Sequence, residues 1–147
     1  MEDKFSKTEY TLYNYNSLDV KIRNIDIDIE NLENDITIKA VNYDEKATPT
    51  NAFNSTVENE VIRREEYVQD QLDKLRAKKK YNEDLKVKID GALSQLSPME
   101  LKLIELRYFQ KEKLQWTTIS MKLGFDKDYC SKIKSKIIKR LGDLIFP

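Results

Sequence analysis

The residues best suited to chemistry in this sequence are basic and hydroxyl side chains near its C-terminal end. Apolar residues recur every three or four positions from Lys127 to about Ile145, which predicts an amphipathic helix. The other face of that helix carries lysines, whose charge suits the phosphates and base edges of duplex DNA. The residues expected to contact DNA are Thr117, Thr118, Lys127, Asp128, Tyr129, Ser131, Lys132, Lys134, Lys136 and Lys139.

These residues divide into two roles. The exposed positions at the start of the helix, Lys127, Asp128, Ser131 and Lys132, are expected to face base edges. The later lysines and the two threonines are expected to hold phosphates. Two interpretations of Asp128 stand side by side: it accepts a hydrogen bond from cytosine N4, or it only stabilises the helix N-terminus.

The helices that would position these side chains have clear boundary signals. Ser97-Pro98-Met99-Glu100 is a capping box with proline at the first helical position, and that helix runs to about Phe109. Trp116 to Leu123 is a short helix that Gly124 ends, and Asp126 can cap the next one. A short helix, a glycine turn and a capped basic helix follow each other in the order of a helix-turn-helix.

The buried side of the last helix is predicted from its spacing. Trp116 is expected to belong to the core, and Cys130, the only cysteine, to be a small buried hydrophobe. A single cysteine excludes an intramolecular disulfide. The apolar face of the last helix is predicted to consist of Cys130, Ile133, Ile137, Leu141 and Leu144.

The N-terminal two thirds of the chain carry heptad patterns. The stripe Leu18, Ile22, Ile25, Ile29, Leu32 and Ile36 predicts a helix over residues 17–38. A second helix is predicted over 55–96, starting at the capping box Ser55 to Glu58, with a loop over 39–54 between the two. We expect the helices to pack antiparallel, and the uncovered seam, with Val68 and Leu75, to meet a second copy. Asn82 at a core-type position has two interpretations, a register-fixing polar residue or a locally frayed seam.

The sequence therefore predicts an all-α fold with two regions. Residues 1–96 would form a helical coiled-coil and oligomerisation region, and residues 97–147 a helix-turn-helix domain. The formal net charge of the chain is +0, yet residues 97–147 hold eleven Lys and Arg against six Asp and Glu, a net charge of +5. Such asymmetry is typical of a basic binding module on an acidic carrier.

Composition excludes several classes of protein. The chain has no histidine, so nucleophile pairs that need one are ruled out and a zinc site would need carboxylates alone. We expect no enzymatic activity, no metal and no cofactor. The sequence has no apolar run of membrane-spanning length and no signal peptide, so we expect a cytoplasmic protein without a membrane partner.

The C-terminal third resembles region 4 of sigma-70-type factors. The resemblance rests on Ser97-Pro98, on Ile104 through Phe109 and on Trp116 through Phe125, and it keeps its register to Leu141. Ser120 stands where the family usually has alanine, and Asp126 replaces the capping Ser or Thr. The resemblance implies DNA as a partner and RNA polymerase as a second one.

A looser resemblance covers most of the chain. The segments Tyr43-Asp44 and Thr50 to Glu58 look like phage regulators of the ArpU and RinA type, which join helical N-terminal regions to a sigma-like domain. This implies a prophage-encoded activator of late genes in a bacterial host cell. Two alternatives remain open: a small terminase subunit for DNA packaging, and a protein that contacts RNA polymerase without reading DNA.

Overall fold

The computed structural model of the chain describes the backbone of residues 3–45 and 54–147 and the side chains of residues 3–35 and 58–147. Every regular element in these ranges is helical, which confirms the all-α class there. The elements are α1 Lys4–Tyr13, a 3-10 turn Tyr15–Ser17, α2 Leu18–Glu45, α3 Asn54–Leu93, α4 Pro98–Tyr108, α5 Trp116–Leu123 and α6 Lys127–Ile145.

The predicted boundaries hold best where a capping residue sets them. Ser97 Oγ accepts a hydrogen bond from the Glu100 N–H at 3.3 Å, and the Glu100 carboxylate accepts one from the Ser97 N–H at 3.0 Å, so the capping box is confirmed. That backbone hydrogen bond, aided by Arg140, lowers the pKa of Glu100.

The boundaries without such a signal differ from the prediction. Helix α2 extends to Glu45, so the predicted loop begins as helix, because nothing between residues 39 and 45 is a glycine or proline. Helix α3 ends at Leu93, three residues early. Helix α3 begins at Asn54, one residue before the predicted cap Ser55. The side chain of Ser55 and residues 46–53 lie outside the described residues.

The chain divides into two compact units at positions that differ from the boundary suggested at residue 96. Unit 1 consists of Met1–Asp19 and Glu83–Pro147, and unit 2 of Val20–Asn82. In unit 1, helix α1 packs along α6, with Thr8 and Leu12 fully buried. A Cβ on Gly142 of α6 would lie 2.7 Å from Thr8 Oγ1, so only glycine permits this approach. The N-terminal helix therefore belongs with the C-terminal helices.

The core of unit 1 draws on α1, α3, α4, α5 and α6 and on the start of α2. Its fully buried large side chains include Leu12 of α1, Ile89 of α3, Ile104 of α4 and Leu141 of α6. Ile119 of α5 is also fully buried. Removing such side chains from water is the main source of stability in a domain of this size.

Unit 2 buries much less. In it, Arg76 pairs with Glu33 at 2.8 Å and Lys79 with Asp26 at 2.6 Å, so α2 and α3 run antiparallel. Among its described side chains only Ile25, Leu72 and Asn82 are buried, and Val68 and Leu75 are half-buried. The Asn82 amide donates to the Lys78 carbonyl of its own helix at 2.9 Å, so its burial leaves a hydrogen bond in place.

Candidate nucleic-acid interface

The segment from α5 to α6 turns at Gly124. Gly124 has a φ of 76°, in the left-handed region that a Cβ disfavours, and glycine ends α5 there as the sequence predicts. Its N–H donates to the Ser120 carbonyl at 2.8 Å, and the Phe125 N–H donates to the same oxygen at 3.3 Å. Asp126 occupies the N-cap of α6 as predicted, although its side chain makes no capping hydrogen bond.

The outer face of α6 exposes most of the side chains expected to contact DNA. Thr117 and Thr118 are exposed at the start of α5, while Ser131 is half-buried. The exposed members on α6 are Lys127, Asp128, Tyr129, Lys132, Lys136 and Lys139. Since positions 129, 132, 136 and 139 are three or four residues apart, they share one side of the helix.

Three exposed lysines of this face, and Lys127 at the start of α6, are the cations that the helix leaves available. Within the described parts of the chain, Lys127, Lys132, Lys136 and Lys139 form no ion pair. Arg140, by contrast, pairs with Glu100 at 2.9 Å. We name Lys132, Lys136 and Lys139, which share one side of α6, the basic row. Together with the N-terminus of α6, whose helix dipole favours anions, they form a surface suited to phosphates.

Lys134 does not belong to the basic row. Its side chain is 16% exposed, lies with its Nζ 5.3 Å from the ring centroid of Phe5, and pairs with Glu9 of α1 at 3.1 Å. The structure therefore places it on the inner side of α6, away from the phosphate-binding position expected from sequence. The reason is its spacing: residue 134 lies four after Cys130 and three before Ile137, on the buried stripe.

Glu9 of α1 forms hydrogen bonds with side chains of both α4 and α6. Its carboxylate accepts hydrogen bonds from Tyr108 Oη of α4 at 2.7 Å and from Lys134 Nζ of α6 at 3.1 Å. Burial, followed by the hydrogen bond to Glu9, raises the pKa of the Tyr108 phenol. The Tyr13 ring lies edge-on to Tyr108, with centroids 4.7 Å apart. The buried polar atoms of this cluster are thus satisfied within unit 1, and α6 is fixed against α1 and α4.

The set of buried residues on α6 differs from the predicted set and is shifted around the helix axis. Ile138 and Ile145 are fully buried, whereas Leu144, predicted to be buried, is 46% exposed, and Ile133 is half-buried. Helix α1 causes this shift, because it covers a side of α6 that the three C-terminal helices alone would leave open. Cys130 is buried as predicted, and burial raises the pKa of its thiol.

Trp116 lies half-buried against the core, as predicted. The Arg107 guanidinium sits 4.5 Å from the Trp116 ring centroid and donates to the Leu114 carbonyl at 2.8 Å. Arg107 thereby fixes the connection between α4 and α5, and with it the start of α5, where the two threonines lie.

Sequence reasoning missed Phe125 as a surface residue. Phe125 follows the glycine turn, is 39% exposed, and its ring centroid lies 5.5 Å from that of Tyr129. The sequence does indicate that Phe125 is exposed, because it lies between the two helices and belongs to the apolar face of neither.

Metal sites and membrane-spanning helices are the other kinds of feature to consider. Among the described residues, no group of three or more His, Cys, Asp or Glu side chains could hold a metal ion. No helix in the described ranges is long and apolar enough to cross a bilayer.

Comparison with known proteins identifies one family. The family described as "Protein of unknown function (DUF722)" matches residues 1–143. No curated protein matches the chain. No solved structure matches it either.

Proposed function

We propose that this chain, which belongs to the DUF722 family, is a sequence-specific regulator of transcription that binds duplex DNA through a helix-turn-helix. In this proposal α5 and α6 are its two helices, and α6 enters the major groove. The observation that carries the proposal is the basic row, three lysines on the outer face of α6 that form no ion pair with any described residue.

The distribution of charge on α6 supports this function over an ordinary solvated helix. The lysine on the inner side is paired with Glu9, and Arg140 is paired with Glu100. The unpaired cations of the basic row lie together on one side of α6, and Lys127 lies in its first turn; a recognition helix meets DNA with such a face and with its N-terminal residues. Asp128 is the one acid among them, and either of its two interpretations is compatible with this role.

The salt dependence of DNA binding tests the phosphate contacts. Lys136→Ala and Lys139→Ala should each weaken binding to all duplexes alike and lower the slope of log K against log salt by about 0.9, since each removes one phosphate contact. Fluorescence anisotropy across a salt series measures this. Lys88→Ala removes the same charge from an exposed position on α3 and should leave the slope unchanged.

Other outcomes would favour other functions. If the full-length protein binds DNA without sequence preference and leaves transcription by purified RNA polymerase unchanged, the regulator proposal fails. Retention of polymerase would then favour a polymerase-binding protein. Stimulation of a large terminase ATPase would favour a packaging subunit. A prophage activator of late genes, in a bacterial host cytoplasm, should instead raise transcript levels from a promoter beside its preferred site.

We infer that the active form is a homo-oligomer built through unit 2. Its described side chains bury only three residues, while Val20 and Ile27, seven positions apart on one side of α2, are 57% and 46% exposed. Two helices with so small a core are marginal by themselves. A second copy of unit 2 would supply the missing apolar partner.

This assembly can be tested at an exposed position. Ile27→Glu should weaken self-association at least about tenfold, because association would bury the new charge, while the isolated chain keeps its fold. Light scattering across a concentration series measures the effect. Ala77→Glu adds the same charge at an exposed position on α3 and is the matched control. A parent protein that stays monomeric at high concentration contradicts the inference.

A further inference from the structure

Two aromatic rings are exposed where α5 ends and α6 begins. Phe125 is 39% and Tyr129 50% exposed, and their centroids lie 5.5 Å apart at an interplanar angle of 50°. The contact joins them into one apolar surface, the aromatic pair. A soluble protein gains nothing in free energy from leaving such a surface in water, so the pair is a candidate for a contact with a ligand.

The position of the aromatic pair restricts what it can meet in a DNA complex. Tyr129 lies in the first turn of α6, and Phe125 lies in the turn before it. The N-terminal residues of a recognition helix contact base edges. Lys132 is exposed three residues after Tyr129 on the same side of α6, and its charge complements the phosphates that border a groove.

We propose that the aromatic pair recognises thymine by contact with its C5-methyl group, a role that rests on the DNA binding proposed above. Among the base edges in the major groove, the thymine methyl is the apolar group, whereas the other edge groups donate or accept hydrogen bonds. A phenyl ring such as that of Phe125 can form no hydrogen bond. An apolar surface at this position therefore selects thymine and disfavours the polar edges of the other bases.

The experiment uses deoxyuridine, which differs from thymidine only by lacking that methyl. The full-length protein first selects its preferred site from a random duplex pool. Each thymine of the site is then replaced by uracil, one at a time, and binding is measured by anisotropy. At one or two positions the parent should lose affinity about fourfold, the value expected for one buried methyl group.

Variants assign the effect to the aromatic pair. Phe125→Ala and, separately, Tyr129→Ala should bind the thymine and uracil duplexes equally at those positions. Tyr10→Ala removes an exposed ring from α1 and should discriminate like the parent. Because the uracil series on the parent needs no variant, a folding defect in Phe125→Ala does not remove the test.

Four results overturn the proposal. The parent could be insensitive to uracil at every position, or both pair variants could keep the discrimination of the parent. A protein that binds every duplex equally overturns methyl recognition and leaves phosphate binding standing. A protein that binds no duplex at low salt overturns the proposed function as well, so the two failures are distinguishable.

Discussion

Replacing Gly142 with alanine should lower the free energy of unfolding by about 1–3 kcal/mol, the range for forcing an extra carbon into a packed interface. The new Cβ would lie 2.7 Å from Thr8 Oγ1, closer than such atoms can approach. Thr8 is fully buried, and its hydroxyl donates to the Lys4 carbonyl at 2.7 Å. Relief of this contact requires either rotation of the Thr8 side chain, which breaks its hydrogen bond to Lys4, or movement of α1 away from α6.

The matched control is the other helical glycine of unit 1. Nothing lies within 4 Å of a Cβ built on Gly91, near the end of α3. Gly91→Ala should therefore stabilise the protein by about 0.5–1 kcal/mol through helix propensity alone. Both variants make the same chemical change in a helix, so opposite signs would isolate the contact with Thr8. Chemical denaturation followed by circular dichroism measures both.

A second substitution tests the cause. Thr8→Ala removes the hydroxyl that the new methyl would strike, so adding it to Gly142→Ala should recover stability relative to Gly142→Ala alone. The interaction free energy from the double-mutant cycle should be at least about 1 kcal/mol. If Gly142→Ala is as stable as Gly91→Ala, the close packing of α1 on α6 is wrong.

The features that the sequence could predict are those determined by residues close together in the chain. Ser97 with Glu100 sets the start of α4, and Gly124 sets the end of α5, because each signal acts over a few backbone atoms. The heptad stripe likewise locates α2, with Leu18 and Ile25 buried. The exposed lysines of α6 follow from the same periodicity.

The features that the sequence could not predict depend on contacts between distant residues. Helix α1 packs on α6 more than 120 positions away, and nothing in the pattern of α1 identifies that partner. The register of α6 depends on α1, so Leu144, which the spacing predicts to be buried, is exposed, and Lys134, which it predicts to be exposed, lies on the inner side.

Lys134 shows why such an error arises from a single sequence. A lysine in a basic helix is usually solvated, and a carboxylate from another part of the chain makes an inner position acceptable. That carboxylate is Glu9, in a segment whose aromatic residues give no indication of its role. When the packing of α1 on α6 is known, the spacing of residues 130, 134 and 137 places all three on the inner side of α6.

The pair of Glu9 and Lys134 should contribute more to stability than the surface ion pairs of the same interface. Glu9→Ala should cost about 1–3 kcal/mol, because it leaves Tyr108 Oη without its acceptor and the Lys134 charge without its partner. The side chains are 27% and 16% exposed, so the cost falls between that of a fully buried pair and that of a surface pair.

Variants that preserve shape separate the charge from the packing. Lys134→Met keeps the aliphatic stem beside Phe5 and removes the charge, and Glu9→Gln keeps an acceptor for Tyr108. The double variant should be more stable than the sum of the single losses predicts, since no charge is then left unpaired. Urea denaturation of the four proteins gives the coupling free energy, which should be about 1 kcal/mol or more.

The surface pair between the same two helices is the control. Lys4 and Asp143 lie 3.3 Å apart, with side chains 51% and 74% exposed. Lys4→Met and Asp143→Asn should each change stability by less than about 0.5 kcal/mol and show little coupling. Equal coupling in the two cycles would mean that burial adds nothing to the Glu9 pair. A larger coupling for Glu9 would establish that α1 holds α6, and with it the basic row, through this buried link.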